Sequence, residues 1–134
     1  MLHVQVVTPE KVLIDQEADE IIVPTTAGEL TILPHHVPLV TQIAEGELVV
    51  KTHGKSESIA LMGGFLEVTA KSVSILADYA ALGKDISVIA AEEAKKRAEK
   101  AMKEKKSDVD FAMAEAEFRR AILELRVANR NKSH

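Results

Sequence analysis

The chain of 134 residues contains no cysteine. Disulfide bonds, thiolate nucleophiles and sulfur-rich zinc sites are therefore excluded. No apolar run approaches the roughly 20 residues that cross a bilayer as a helix, and the amino terminus lacks the basic start and apolar core of a signal peptide. We therefore expect a protein that is cytosolic or peripheral to a membrane.

Motifs for independent catalysis are also missing. No serine lies in a Gly-x-Ser-x-Gly turn, and no Gly-x-x-x-x-Gly-Lys-Ser/Thr loop is present to hold a phosphate. The 5 histidines are scattered, without the helical spacing that many metal sites use. The sequence predicts a non-catalytic protein without a metal site.

The formal net charge of -4 hides an uneven distribution. Residues 1–86 hold 5 basic and 12 acidic side chains, whereas residues 87–106 hold 7 basic and 4 acidic ones. A basic helix can contact nucleic acid, anionic lipid or an acidic protein segment, and it can also be no more than a solvated surface. Charge alone leaves these alternatives open.

Residues 1–84 consist of short β-branched runs separated by turn formers, among them the runs 58–62 and 65–69. This density predicts an all-β sandwich or flattened barrel of about ten short strands. Turns are predicted at residues 25–28 and 53–55, because glycine reaches positive φ without steric cost. Pro34 and Pro38 lack backbone donors, so the segment between them is predicted to leave the sheet as an exposed elbow.

Residues 85–134 change to helical spacing, which predicts an antiparallel two-helix hairpin and hence an α+β protein in two parts. Asp85 or Ser87 is expected to cap the first helix and Asp108 the second. A stripe of small side chains is predicted to face the second helix: Ala90, Ala94, Ala98 and Ala101. Such a seam buries little apolar area, so we expect the hairpin to open at a small cost in free energy.

Three motifs resemble those of one family. Residues 28–41 read GELTILPHHVPLVT, and residues 62–68 read MGGFLEV, followed by VSILAD at 73–78. In the helical part, SDVDF at 107–111 and LRV at 125–127 complete the pattern. The chain therefore resembles the epsilon subunit of F-type ATP synthases over nearly its whole length.

The resemblance implies a non-catalytic rotor subunit that joins the γ shaft to the c-ring on the cytoplasmic face of the bacterial membrane. It implies no contact with nucleic acid and a monomer in isolation. The residues implied to face the c-ring and the foot of γ are Glu29, Leu30, Pro34, His36 and Val37. In that arrangement Glu29 pairs with a basic loop side chain, and the apolar members supply contact area.

The resemblance also implies inhibition of ATP hydrolysis. The hairpin would extend along γ, and its basic face would contact an acidic segment of the catalytic β subunit within the α and β head. The side chains implied to form this regulatory basic face are Lys95, Lys96, Lys100, Lys103, Arg119 and Arg126.

Some members of this family bind ATP on the folded hairpin through Ile or Leu, Asp, two residues, and Arg-Ala. The matching residues 86–91 read ISVIAA, so Ser87 replaces the aspartate and Ala90 the arginine. A carboxylate and a cation that could contact a nucleotide are both missing. Arg97 and Arg120 match further basic positions of the family, whereas Glu124 carries the opposite charge. We expect weak or absent ATP binding and no resident cofactor.

Two other classes of function remain as alternatives. One is an ATP-sensing regulatory module, which Ser87 and Ala90 disfavour. The other is a generic adaptor whose β domain binds one protein and whose basic hairpin binds another. The adaptor explains the composition and the periodicity equally well, but it does not explain why two long motifs occur in this order.

Overall fold

The computed structural model describes residues 1–104 and 106–132, with side chains through Arg130. Its strands are β1 Leu2–Val7, β2 Val12–Ala18, β3 Glu20–Thr25, β4 Gly28–Ile32, β5 Leu39–Gln42, β6 Gly46–Thr52, β7 Lys55–Val68 and β8 Ser72–Leu82. A 3-10 turn, Gly83–Asp85, leads to the helices α1 Val88–Glu104 and α2 Asp108–Lys132. The predicted α+β arrangement in two parts is confirmed, but the strand count is wrong, because the sandwich has eight strands and not ten. The end of the predicted hairpin, residues 133 and 134, lies outside the described residues.

The strands follow the order β2-β1-β8-β7-β6-β3-β4, and β5 pairs with β7 beside that path. Neighbours are antiparallel except for β1 and β8, which run parallel. The long strand β7 pairs with β6 along its first half and with β5 along its last four residues. Inward-facing aliphatic side chains from all of these strands except β5 form the buried core, including Val4, Ile21, Leu48, Ile59, Leu66 and Ile75.

The bend in β7 explains part of the wrong strand count. The runs 58–62 and 65–69, predicted as separate strands, belong to the single strand β7. Between them Gly63 and Gly64 adopt φ of 71° and 113°, which lets the strand turn from one neighbour to the other without ending. A Cβ at Gly64 would overlap the carbonyl oxygen of Leu76, and one at Gly63 would overlap the Asp78 carboxylate.

A serine directly before the first residue caps each helix. The Ser87 hydroxyl accepts a hydrogen bond from the backbone N–H of Ala90 at 3.1 Å. The Ser107 hydroxyl accepts one from the backbone N–H of Asp110 at 3.0 Å. Asp108, predicted as the second cap, is instead the first residue of α2, where its charge favours the positive end of the helix dipole.

The two helices meet along an alanine seam that differs by one position from the prediction. In α1, Ala91 and Ala98 are buried and Ala94 and Ala101 half-buried, whereas Ala90 is exposed. Spacings of three, four and three keep these alanines on one face, and Ala90 falls off it. In α2 three alanines are buried, Ala114, Ala121 and Ala128.

A second face of α2, which the sequence did not reveal, packs on the sandwich. Leu123 and Val127 are buried with Ala60, and the half-buried Met62, Tyr79 and Ile86 surround them. The helix contacts β6, β7 and the 3-10 turn, while α1 packs against α2. Over the described part of the chain, no helix is long and apolar enough to cross a membrane.

The bend at Gly64 yields a prediction about stability. We expect Gly64→Ala to lower the free energy of unfolding by more than about 2 kcal/mol, because the new Cβ meets backbone that cannot move aside. Gly54→Ala is the matched control, since Gly54 also has positive φ but open space around it, and it should cost only about 1 kcal/mol. Urea denaturation followed by circular dichroism measures both, and equal costs would contradict the role of the bend.

Candidate functional site

The predicted elbow lies where β4 gives way to β5. Residues 33–38 belong to no strand, as Pro34 and Pro38 predict. His35 has a φ of 67°, and its backbone N–H donates to the Ala70 carbonyl oxygen at 3.0 Å. The Nδ1 of His36 lies 2.8 Å from the carbonyl oxygen of Val37, which accepts a hydrogen bond from it. The hydrogen bond to the β7–β8 turn thus fixes the shape of the elbow. At the tip of the elbow, Val37 is 74% exposed.

Glu29 and the elbow lie at opposite ends of β4. Glu29 is exposed near the β3–β4 turn, whereas Leu30 is half-buried and packs partly against the sandwich core. Pro34 and His36 are half-buried beyond the other end of the strand. A strand of this length separates its ends by more than about 10 Å. The structure therefore presents the predicted interface residues as two neighbouring groups rather than one cluster.

An exposed apolar patch covers one outer face of the sandwich, formed by Val40 of β5, Phe65 of β7 and Leu76 of β8. Phe65 lies directly opposite Leu76, and Val40 lies opposite Glu67, two residues further along β7. Residues paired in this way point to the same side of a sheet. The prediction did not include this patch. The signal for this patch in the sequence was the aromatic residue Phe65, which faces outward beside the buried Leu66.

The basic residues predicted for regulation divide between the two helices. Lys96, Lys100 and Lys103 are exposed, and their spacing of four and three places them on one face of α1, with Lys95 half-buried beside it. On α2, Arg119 and Arg126 instead line a groove of about 170 Å³ against the sandwich, together with Glu45 and Phe118. Whether these side chains act together stays a prediction.

A cavity of about 710 Å³ lies between the hairpin and the sandwich. Its apolar wall is formed by Met62 and by alanines from both helices, Ala90 among them. Ser87 also lines the cavity. Its two guanidinium groups already have carboxylate partners. Arg97 pairs with Glu117 at 2.7 Å, and Arg120 pairs with Glu124 at 2.9 Å.

Tyr79 also lines this cavity, and the guanidinium group of Arg120 lies over its ring. The guanidinium carbon of Arg120 is 3.8 Å from the centre of the Tyr79 ring, a cation–π contact between α2 and β8. Burial raises the pKa of the Tyr79 phenol, and the nearby Glu124 carboxylate raises it further, while Arg120 partly opposes them. Among the described residues, no group of three histidine or carboxylate side chains could hold a metal ion.

Comparison with known families identifies both parts of the chain. The family model for the beta-sandwich domain of ATP synthase delta/epsilon chains matches residues 1–83, and the model for their long alpha-helix domain matches residues 84–129. The chain belongs to the ATP synthase delta/epsilon family. The resemblance is therefore confirmed, and the chain is a non-catalytic subunit of an F-type ATP synthase.

Several bacterial members of this family are similar over nearly their full length. The ATP synthase epsilon chain of Halalkalibacterium halodurans is 43% identical over 130 residues, which cover 96% of this chain and 98% of that one. The epsilon chain of Symbiobacterium thermophilum is 40% identical over 128 residues, 95% and 92% of the two chains. That of Nitratidesulfovibrio vulgaris (strain DP4) is 37% identical over 126 residues, 94% of each.

Two solved structures share the fold. A chain of the Euglena gracilis mitochondrial ATP synthase, in a structure of OSCP/F1/c-ring, aligns with a TM-score of 0.76 at 22% identity and covers 99% of this chain and 81% of its own. A chain from the central stalk/c-ring structure of Tetrahymena thermophila mitochondrial ATP synthase gives a TM-score of 0.54 at 18% identity, with 63% and 69% covered. At these identities the likeness is one of fold alone.

The surroundings of Tyr79 predict its titration. The chain has one tyrosine and no tryptophan, so near-ultraviolet absorbance reports the Tyr79 phenolate alone. We expect its pKa to lie above the ordinary value of 10.0. Glu124→Gln should move the midpoint down, whereas Glu117→Gln, which removes a carboxylate paired with Arg97 on the same cavity, should leave it in place.

The same shift has a consequence for stability. The folded state holds the Tyr79 proton more tightly than the unfolded chain does. The resulting stabilisation of the folded state is present below about pH 10 and is lost as the pH rises through the folded-state pKa of Tyr79. A midpoint equal to that of the urea-unfolded chain would contradict the burial of the Tyr79 phenol in the folded state.

Proposed function

We propose that the chain is a component of the ATP synthase central stalk that transmits c-ring rotation to the γ shaft, at the cytoplasmic face of a bacterial membrane. Its bacterial relatives bear the name epsilon chain, and the solved structure from Tetrahymena thermophila has the central stalk and c-ring as its subject. Torque transfer of this kind is a problem of binding and stiffness rather than of chemistry. The chain is a monomer in isolation in this proposal.

The observation that carries the proposal is the exposed patch of Val40, Phe65 and Leu76. These large apolar side chains lie on three adjacent strands whose opposite side is close-packed core. Exposed apolar side chains that cluster in this way mark protein-binding surfaces in soluble domains. We assign the patch to γ, and the close-packed sandwich under it deforms little when a load is applied.

The second contact in the proposal is with the c-ring. Glu29 is exposed and acidic, and the elbow with Val37 at its tip lies beyond the other end of β4. A carboxylate there can pair with a basic loop, and the elbow supplies apolar area. Glu29 and the elbow lie about one strand length apart. A c-ring contact made at both positions resists rotation of the subunit better than a contact at one position, because each position prevents pivoting about the other.

The hairpin supports the second part of the proposal, inhibition of ATP hydrolysis. The seam between α1 and α2 is built mainly of alanines, which bury little area, so two arrangements of the helices can lie close in free energy. The exposed lysines Lys96, Lys100 and Lys103 are available to an acidic segment of the catalytic β subunit.

The alternative functions receive less support. An ATP-sensing module would need cations free to meet phosphate in the cavity, yet Arg97 and Arg120 are paired with carboxylates, and Ser87 and Ala90 add no charge. A generic adaptor does not account for two matching family models in the correct order along residues 1–129.

Rotary coupling can be tested in inverted membrane vesicles that carry the complete ATP synthase. Phe65→Glu places a charge in the patch and should release the subunit from γ, while Glu29→Lys should weaken its hold on the c-ring. We expect ATP-driven proton pumping per ATP hydrolysed to fall severalfold in both variants, because a buried unpaired charge or a reversed ion pair disfavours each contact.

Two controls match these changes. Val12→Glu alters a side chain as exposed as Phe65, 54% in both cases, on the edge strand β2. Glu10→Lys reverses an exposed charge in the β1–β2 turn. Neither should affect pumping. Normal pumping with Phe65→Glu, with the variant subunit still bound, would refute the assignment of the patch to γ.

Inhibition is tested with a chain that ends at Lys84, where the sandwich is complete. In an assay of ATP hydrolysis by the reconstituted α, β and γ subunits, full-length chain should slow turnover and the truncated chain should bind without slowing it. Equal rates with both forms would show that the hairpin does not inhibit, and would leave rotary coupling as the function.

A further inference from the structure

Two arginine–carboxylate ion pairs join α2 to the sandwich, and their arginines share one face of the helix. Arg119 lies four residues before Leu123, and Arg130 lies three residues after Val127. Leu123 and Val127 are the buried apolar contacts. The two arginines thus flank the apolar contact on either side along the helix, on the same face.

The carboxyl-terminal arginine meets a nearly buried carboxylate. The Nη1 atom of Arg130 lies 2.9 Å from Oε1 of Glu47 on β6, and the Glu47 side chain is only 11% exposed. Within the described residues the second oxygen, Oε2, is buried without a hydrogen-bond partner. Withdrawal of a carboxylate from water costs solvation free energy, and the single guanidinium that faces this one offsets part of that cost.

The other arginine, Arg119, pairs with Glu45, which lies two residues before Glu47 in the chain. The Nε atom of Arg119 lies 3.4 Å from Oε1 of Glu45, and its Nη1 lies 3.3 Å from Glu115 on the preceding turn of α2. Gly46 separates Glu45 from Glu47, and a Cβ there would be 2.9 Å from the Cβ of Pro24. The short segment 45–47 therefore brings two carboxylates to the helix without room for a bulkier residue between them.

We propose that the ion pairs Arg119–Glu45 and Arg130–Glu47 form an electrostatic latch that holds the helical hairpin on the sandwich. The apolar contact between them has only three buried side chains, Ala60, Leu123 and Val127, bordered by the half-buried Met62, Tyr79 and Ile86. The balance between docked and released hairpin therefore depends on these charges, and conditions or partners that compete for them release it.

The latch also determines when one basic residue becomes available. In the docked hairpin Arg119 already contacts both Glu45 and Glu115, so an acidic segment of another subunit would meet a cation whose charge is already balanced. Release of the hairpin and presentation of Arg119 are therefore a single event, a consequence that rests on the inhibitory part of the proposed function. The latch itself does not rest on it, because it concerns the isolated chain.

The latch is tested on the isolated full-length chain by spin-label distance measurement. The absence of native cysteine allows two labels, at the exposed positions Lys55 on the sandwich and Ala112 on α2. The starting protein should give one narrow distance at low salt. The double variant Glu45→Gln with Glu47→Gln should raise the population of longer distances by roughly tenfold, because both charge pairs are lost.

Three comparisons isolate the latch from general effects of charge. Glu67→Gln removes an exposed carboxylate from β7 that has no ion pair in the described structure, and it should leave the distance unchanged. Glu47→Arg combined with Arg130→Glu reverses one pair and should restore docking relative to Glu47→Arg alone. About 1 M NaCl, where charges are screened beyond about 3 Å, should release the hairpin in the starting protein more than in the double variant.

The outcomes separate the latch from the proposed function. An unchanged distance in the Glu45→Gln, Glu47→Gln variant, with the sandwich folded by circular dichroism, would overturn the latch. If the hairpin is released in that variant and ATP hydrolysis by the reconstituted complex is slowed further, both the latch and inhibition are supported. If the hairpin is released and hydrolysis does not change, the latch stands and the inhibitory function fails.

Discussion

The structure depends on the close approach of Gly64 in β7 to the backbone of β8 at Leu76. Because both glycines at this bend reach positive φ, one strand can pair first with β6 and then with β5, and it joins the two layers of the sandwich without a loop. The apolar patch depends on the same bend, since Phe65 follows it directly. The surface proposed to meet γ is thus positioned by backbone that leaves no room for a Cβ at Gly64.

Two kinds of packing coexist in the chain. The sandwich is filled by fully buried leucine, isoleucine and valine side chains, whereas the helix pair meets through alanines. Burial free energy scales with apolar area, so the first interface is strong and the second weak. The docking of α2 on the sandwich is of a third kind, in which arginines and glutamates surround a small apolar centre. Stiffness and the capacity to rearrange are in this way assigned to different residues of one chain.

Local patterns in the sequence predicted the two-part fold, the glycine turns, the elbow and the helical seam, because each depends on residues close together in the chain. The errors came from tertiary structure. A Gly-Gly pair was interpreted as the end of a strand when backbone packing makes it a bend, and β5 was missed because its four residues follow directly on Pro38. The patch at Phe65 and the arginine pairs with Glu45 and Glu47 join distant segments, so no single window contains their signal.

The parallel pairing of β1 with β8 has a consequence for synthesis of the chain. Residues 3–7 hydrogen-bond to residues 72–76, so the first strand made cannot complete its pairing until most of the domain has left the ribosome. Until then β1, with its apolar side chains Leu2, Val4 and Val6, has only one of its two neighbouring strands, β2. The interval between translation of β1 and of β8 is therefore the period in which a nascent chain is most exposed to aggregation and to capture by chaperones.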